Sequence, residues 1–173
     1  MPITIRRIPA QEFSQHVAHL VELLRDAVDN GASVGYLPPL LTAEGLAYWQ
    51  EVGATVAAGT TLLLVAEEAG QLQGTVQLVL AIKLNGLHRA EVSKLLVHSR
   101  AQRRGIGRQL MLALEAEARQ HNRSTLVLDT LQGAGSELLY QGLGYTAAGV
   151  IPQFARTAGG ALEGTVVYYK LLS

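Results

Sequence analysis

The chain contains no cysteine. Disulfides, thiolate zinc sites and an acyl-cysteine intermediate are therefore excluded. It also lacks any excess of charge, because 14 Lys and Arg balance 14 Asp and Glu. A broad surface for nucleic acid or for an anionic membrane is not expected from such a chain. No apolar run reaches the ~20 residues of a membrane-spanning helix. The opening MPITIRRIPAQEF has no apolar signal segment. These absences agree with a cytoplasmic location. The 173 residues suit one domain with a sizeable core.

What the chain does have is concentrated in Glu91 to Leu112, EVSKLLVHSRAQRRGIGRQLML. Val92, Leu95, Leu96 and Val97 read as an apolar strand. A basic loop follows, and then a helix from Ile106 with Leu110, Ala113, Leu114 and Ala118 on the face of Ile106. Gly105 and Gly107 allow the backbone to turn tightly and approach a ligand. A helix N-terminus offers unpaired N–H groups and a partial positive charge. Arg103, Arg104 and Arg108 add to it. The combination suits a phosphate or pyrophosphate. A Walker loop is not matched, since Gly107 is followed by Arg108 and Gln109. A Rossmann fingerprint lacks its third glycine. A basic loop without a ligand is the plain alternative.

Along the rest of the chain, alternation predicts a strand over Ile3 to Ile8, stopped by Pro9. A helix is expected over Gln11 to Asp29, with Phe13, Val17, Leu20, Leu24 and Val28 on one face. A Gly- and Pro-bearing loop follows to Pro39. Thr42 is read as the cap of a second helix, Ala43 to Ala58. Strands are expected at Thr60 to Glu67 and Leu72 to Leu84, with Asn85-Gly86 as a two-residue hairpin turn into His88 to Val97. After the helix of the basic stretch come a strand from Ser124 to Asp129, a short helix from Gly133 to Gly142, and a strand from Tyr145 to Ile151. Residues 152–163 read as a loop rich in Gly, Ala and Pro, before a last strand, Thr165 to Leu172. The order is β-α-α-β-β-β-α-β-α-β-β, an α/β arrangement with a parallel crossover before the Ser124 strand.

Gln102-Arg103-Arg104-Gly105-Ile106-Gly107 resembles the coenzyme A pyrophosphate loop of the GCN5-related N-acetyltransferases. Leu139-Tyr140-Gln141-Gly142-Leu143-Gly144-Tyr145 is similar to that superfamily's second motif, and the element order is that of its fold. The resemblance implies a mixed central sheet of about seven strands flanked by about four helices. NGASVG at Asn30 to Gly35, NGLHRAEVSKLLV at Asn85 to Val97 and LDT at Leu128 to Thr130 further resemble the tabtoxin-resistance acetyltransferases within it. The implied activity is acetyl-coenzyme A-dependent acetylation of a small, amino-acid-like or toxin amine. Two other readings are a protein lysine or N-terminal acetyltransferase and a catalytically silent coenzyme A-binding module.

An ammonium must lose a proton before its nitrogen can attack a thioester, and the departing thiolate must regain one. Without cysteine, direct attack in a ternary complex is the economical route. Glu91 stands eleven residues before Gln102, a spacing similar to that of the superfamily's general-base glutamate. Asp129 ends the apolar TLVLD strand, where desolvation would push a cleft-facing carboxylate upward. The resemblance points to both positions. At ~3.3 Å per residue, Glu91 lies roughly 13 Å along the strand from Leu95, so proton removal through a water is expected. Tyr140 is the acid that the motif implies. The alternatives are a Glu91 paired with Arg89 or Lys94, an Asp129 capping a turn before Thr130, and a Tyr140 that is only a core aromatic.

The resemblance assigns the coenzyme to Leu95, Leu96 and Val97 for its pantetheine and to Gln102 through Arg108 for its pyrophosphate. It also implies a backbone oxyanion donor near Leu96 or Val97. One departure is Gly133, where the superfamily often has an Asn that contacts the coenzyme. Tyr36, Trp49, Asn85 and Arg89 are the acceptor-pocket candidates. Lys83 and Lys94 read as solvated strand residues. His16 and His19 read as an exposed helical face, and no metal site is expected. The apolar last strand could support a homodimer.

Overall fold

The computed structural model describes residues 2–173. Its elements are β1 (Thr4–Arg7), α1 (Phe13–Asp29), α2 (Thr42–Ala57), β2 (Thr61–Glu68), β3 (Gln71–Leu80), β4 (Arg89–Val97), α3 (Ile106–Gln120), β5 (Thr125–Leu131), α4 (Ser136–Gly142), β6 (Thr146–Arg156) and β7 (Leu162–Leu171). All the strands join one sheet in the order β1-β2-β3-β4-β5-β7-β6. Only the β4–β5 pair is parallel. The expected mixed sheet with flanking helices is the observed architecture.

The continuous apolar run of β2 has a direct cause. Successive side chains of a strand point to opposite faces. Leu62, Leu64 and Ala66 enter the core beneath α3, whereas Leu63 and Val65 enter the core beneath α1 and α2. A strand covered on both faces cannot alternate with polar residues. The helices instead show one-sided patterns: Leu20, Leu24 and Val28 of α1 are fully buried, as are Ile106, Leu110, Leu114 and Ala118 of α3.

Local expectations fail at several places, each with a physical reason. The cap of α2 is Leu41, and Thr42 is already helical. The Leu41 N–H is satisfied by Glu44 Oε2 at 2.9 Å, so the acidic residue three places on secures the start. β3 ends at Leu80, and Asn85-Gly86 lies in a short 3₁₀ turn, Leu84–Gly86, within a longer connection. No two-residue hairpin forms.

Of residues 152–163, only 157–161 form a turn. β6 extends to Arg156 and pairs with β7 from Leu162, after a register shift between Ile151 and Ala155. Pro152 is tolerated because β6 is the sheet's edge and the shift absorbs the irregularity. β5 continues to Leu131, so Asp129 lies inside a strand and caps no turn.

Candidate active site

The site begins with a separation of two strands. β4 is flanked by β3 along its length but by β5 only at Arg89–Thr125, Ala90–Leu126 and Glu91–Val127. On the β3 side, Ser93 faces Gln77 and Leu96 faces Thr75. Lys94 and Leu95 therefore share the place opposite Val76. This is a β-bulge, and Lys94 takes φ 51° to form it. A bulge bends its strand and increases the local twist. Beyond Glu91, residues 92–97 have no ladder partner on β5. Their backbone groups on that edge are open to an extended, amide-bearing ligand. Gly74 sits where a Cβ would come within 2.8 Å of the Leu96 carbonyl oxygen, so a side chain there would disturb the bulged segment.

At the end of β4, a 3₁₀ turn over Ser99–Ala101 leads to Gly105, the N-cap of α3, at φ 75°. That conformation suits glycine. The α3 cap has no side-chain hydrogen bond, and the first turn has no acidic residue. The helical ladder starts with Gln109 N–H donating to the Gly105 carbonyl. The N–H groups of Ile106, Gly107 and Arg108 thus remain for an anion. Gly107 brings the helix close to Leu139, 3.4 Å from where its Cβ would lie. Gln102 Nε2 donates to the Val97 carbonyl at 3.3 Å and ties the loop to β4.

The arginines of the loop differ in their surroundings. Arg104 forks onto Glu68 at 2.7 and 2.9 Å, and its hydrogen bond holds the Glu68 carboxyl below the usual range. Arg108 reaches the Gly142 carbonyl at 3.4 Å. Arg103 is exposed and lies at φ 61°. This uncapped, basic helix entrance beside an unpaired strand edge fits a coenzyme with a pyrophosphate and two amides.

The strand separation opens into a cavity of about 680 Å³. Its wall comes from residues 31–37, from Glu91 to Leu95 of β4, from β5 and α4, and from the β6–β7 hairpin. Glu91, Asp129, Tyr140, Leu95 and Tyr36 all line it. Glu91 is exposed there and forms no ion pair with Arg89 or Lys94 among the described residues. Asp129 also faces the cavity and is exposed there. Thr165 Oγ1 donates to Asp129 Oδ2 at 2.8 Å and fixes one oxygen.

Tyr140 is both core and cavity residue. It is 6% exposed and packs edge-on against Tyr145 with centroids 5.8 Å apart. Burial, with the Asp129 charge adding to it, pushes its phenol up to about 12. It keeps its proton at neutral pH. Near it, Thr130 and Ser136 hydroxyls are 2.7 Å apart. The Gly133 N–H donates to Glu137 Oε1 at 2.7 Å, so the position that departs from the motif serves the start of α4.

Three acceptor-pocket expectations are not met. Trp49 is fully buried in the core of α1 and α2. Asn85 lies in the 3₁₀ turn before β4 and Arg89 at the start of β4, where β4 and β5 are still paired, and neither lines the cavity. Lys94 replaces them in interest. It is half-buried rather than solvated, and its Nζ stands 5.4 Å from the centre of the Tyr48 ring. Burial lowers its pKa, while the charges of Asp129 and Glu91 act in the opposite direction. Nothing in the strand pattern announces this, because the bulge changes where position 94 points. Outside the site, His16 is partnered by Arg6 Nη2 at 3.2 Å, and among the described residues no helix is long and apolar enough to cross a membrane.

Residues 41–156 match the family described as acetyltransferase (GNAT) domain. The chain is similar over 100% of both chains to an N-acetyltransferase from Staphylococcus aureus Mu50, with TM-score 0.82 and 20% identity. It is similar to yncA from Salmonella typhimurium, whose structure was solved with its cofactor acetyl-CoA, with TM-score 0.80 and 26% identity over 100% of this chain and 95% of that one. A ribosomal-protein-alanine N-acetyltransferase from Brucella melitensis matches with TM-score 0.79 and 23% identity, over 98% and 99% of the two chains.

Proposed function

The chain belongs to the acetyltransferase (GNAT) domain family, and from that premise we propose that it acetylates the nitrogen of a small, amino-acid-like or toxin-like amine. Acetyl-coenzyme A is the acyl donor and supplies the acetyl thioester. Ile106, Gly107 and Arg108 N–H groups, with Arg103 and Arg104, hold its pyrophosphate. Leu95 to Val97 offer backbone groups to its pantetheine arm, and a backbone N–H near Leu96 or Val97 stabilises the developing oxyanion.

Glu91 takes a proton from the acceptor ammonium through a water. Asp129, steadied by the Thr165 hydroxyl, holds that ammonium in the cavity. Tyr140, which burial keeps protonated, donates a proton to the departing sulfur. The resemblance to tabtoxin-resistance acetyltransferases, carried by the segments at Asn30, Asn85 and Leu128, supports a toxin or amino-acid acceptor.

The observation that carries this reading is the single cavity lined by Glu91, Asp129 and Tyr140. Its volume, about 680 Å³, suits a small acceptor. The test is a thiol-release assay with acetyl-coenzyme A, a panel of small amines and amino acids, and a peptide with a free N-terminal alanine. We expect turnover with members of the small-amine panel. Turnover restricted to the peptide overturns the small-acceptor assignment.

A further inference from the structure

We propose that Lys94 selects acceptors that carry a carboxylate, its ammonium binding that group while the amine to be acetylated lies toward Glu91 and Asp129. This rests on the acetyltransferase reading and assigns its acceptor class.

The cavity is lined by charges of both signs. Glu91 and Asp129 are anionic, and Lys94 and Arg156 are cationic. Two carboxylates suit an incoming ammonium. The coenzyme does not account for the cations, because its phosphates belong at the α3 entrance and its pantetheine arm is neutral. Arg156 is exposed, and its Nη1 is engaged by the Gly160 carbonyl at 2.9 Å. Lys94 is different. It is half-buried at the bulge and has no hydrogen bond or ion pair to its Nζ among the described residues.

Its Nζ stands over the face of Tyr48, a fixed platform. Tyr48 accepts a hydrogen bond from Gln77 Nε2 at 2.8 Å. Its ring is held between Tyr36 and Trp49, with centroids 6.0 and 5.0 Å away. An aromatic face attracts an ammonium but leaves its N–H donors unfilled. Three donors in a partly desolvated wall call for an acceptor atom from outside the protein. A carboxylate supplies it as a charge-assisted hydrogen bond. Glu91 and Asp129 influence Lys94 through space, but neither approaches it as an ion pair. A zwitterionic acceptor therefore matches the wall with its two ends opposed.

The test compares kcat/KM for matched probes with and without the carboxylate: L-lysine against pentane-1,5-diamine, and L-alanine against ethylamine. Wild type is expected to favour the carboxylate member of at least one pair by about tenfold or more, the factor of one charge-assisted contact. In Lys94→Gln and Lys94→Met that ratio should fall to within about threefold, through KM. Lys94→Arg should keep part of it. Coenzyme A titration calorimetry on the same variants reports whether the fold is intact.

Transfer by wild type without a carboxylate preference overturns the Lys94 assignment alone. So does a preference that survives both substitutions, or an equal loss on both members of a pair, which would mean that Lys94 only balances the two carboxylates. No transfer to any probe overturns the small-amine reading together with it.

Discussion

The helix entrance at Gln102 to Arg108 and the cavity above Glu91 stand at opposite ends of one strand–loop–helix, yet they recognise by different means. The entrance is contiguous, exposed and made mostly of backbone N–H groups. Its arginines lie on the surface, and Arg104 is already occupied by Glu68. The cavity is discontinuous, with walls drawn from separate segments between Gly31 and Thr165. Tyr140 in its wall belongs to the core, and Lys94 in its wall stands against Tyr48, which is pinned by Gln77. A site made from one short segment can be exchanged with little effect on the rest. A site that includes a core residue such as Tyr140 couples part of its chemistry to the stability of the fold.

Perturbing each end should therefore produce opposite patterns. The largest effect is expected from Glu91→Gln, with turnover reduced on the order of a hundredfold by loss of the general base. Its coenzyme A dissociation constant, measured by calorimetry, should stay within about twofold of wild type. Wild-type turnover would remove Glu91 from the chemistry.

The double variant Arg103→Ala, Arg104→Ala should show the reverse. We expect about tenfold weaker coenzyme A binding and a nearly unchanged melting temperature, because both side chains are exposed. An unchanged dissociation constant would sink the phosphate role of this end.

The smallest effect, and the one that ties the cavity to the core, lies in stability at alkaline pH. Burial pushes both Tyr48 and Tyr140 up to about 12, against ~10 in an unfolded chain. Between these values the unfolded chain releases protons that the folded protein keeps. Stability from these groups is therefore complete below pH ~10 and is lost as pH rises toward 12. Urea midpoints should be level from pH 8 to 9.5 and fall beyond pH ~10. Tyr140→Phe should reduce that fall only in part, because Tyr36, Tyr48, Tyr145 and Tyr168 are raised as well, whereas the arginine variant should follow wild type. Parallel curves for all three proteins would separate Tyr140 from the core effect.

Periodicity and apolar runs located the α-helices and strands of the described residues, because burial on one or both faces leaves its pattern in the chain. It misjudged the ends where tertiary pairing overrode composition. Pro152 and the small residues around it read as a loop, but the exposed edge of β7 offered β6 a partner and the register shift made room. Asn85-Gly86 had the chemistry of a tight turn, but β3 had already ended at Leu80. In the site, Gly105, Gly107 and the nearby arginines were visible as an anion loop because their function is local. Glu91, Asp129 and Tyr140 were singled out through the family resemblance, and they line one cavity. Trp49 was misplaced because an aromatic residue with a polar handle serves a core or a pocket equally well.

By itself, the sequence determined what depends on neighbours in the chain: the two-faced β2 run, the amphipathic helices, and the glycine-bearing basic turn into α3. Only the tertiary structure decided where β4 and β5 part, because that follows from a bulge defined by pairing to β3. The same bulge carries Lys94 to the cavity wall beneath the Tyr48 face. A register shift is a relation between two strands, and the residues of either strand alone do not contain it.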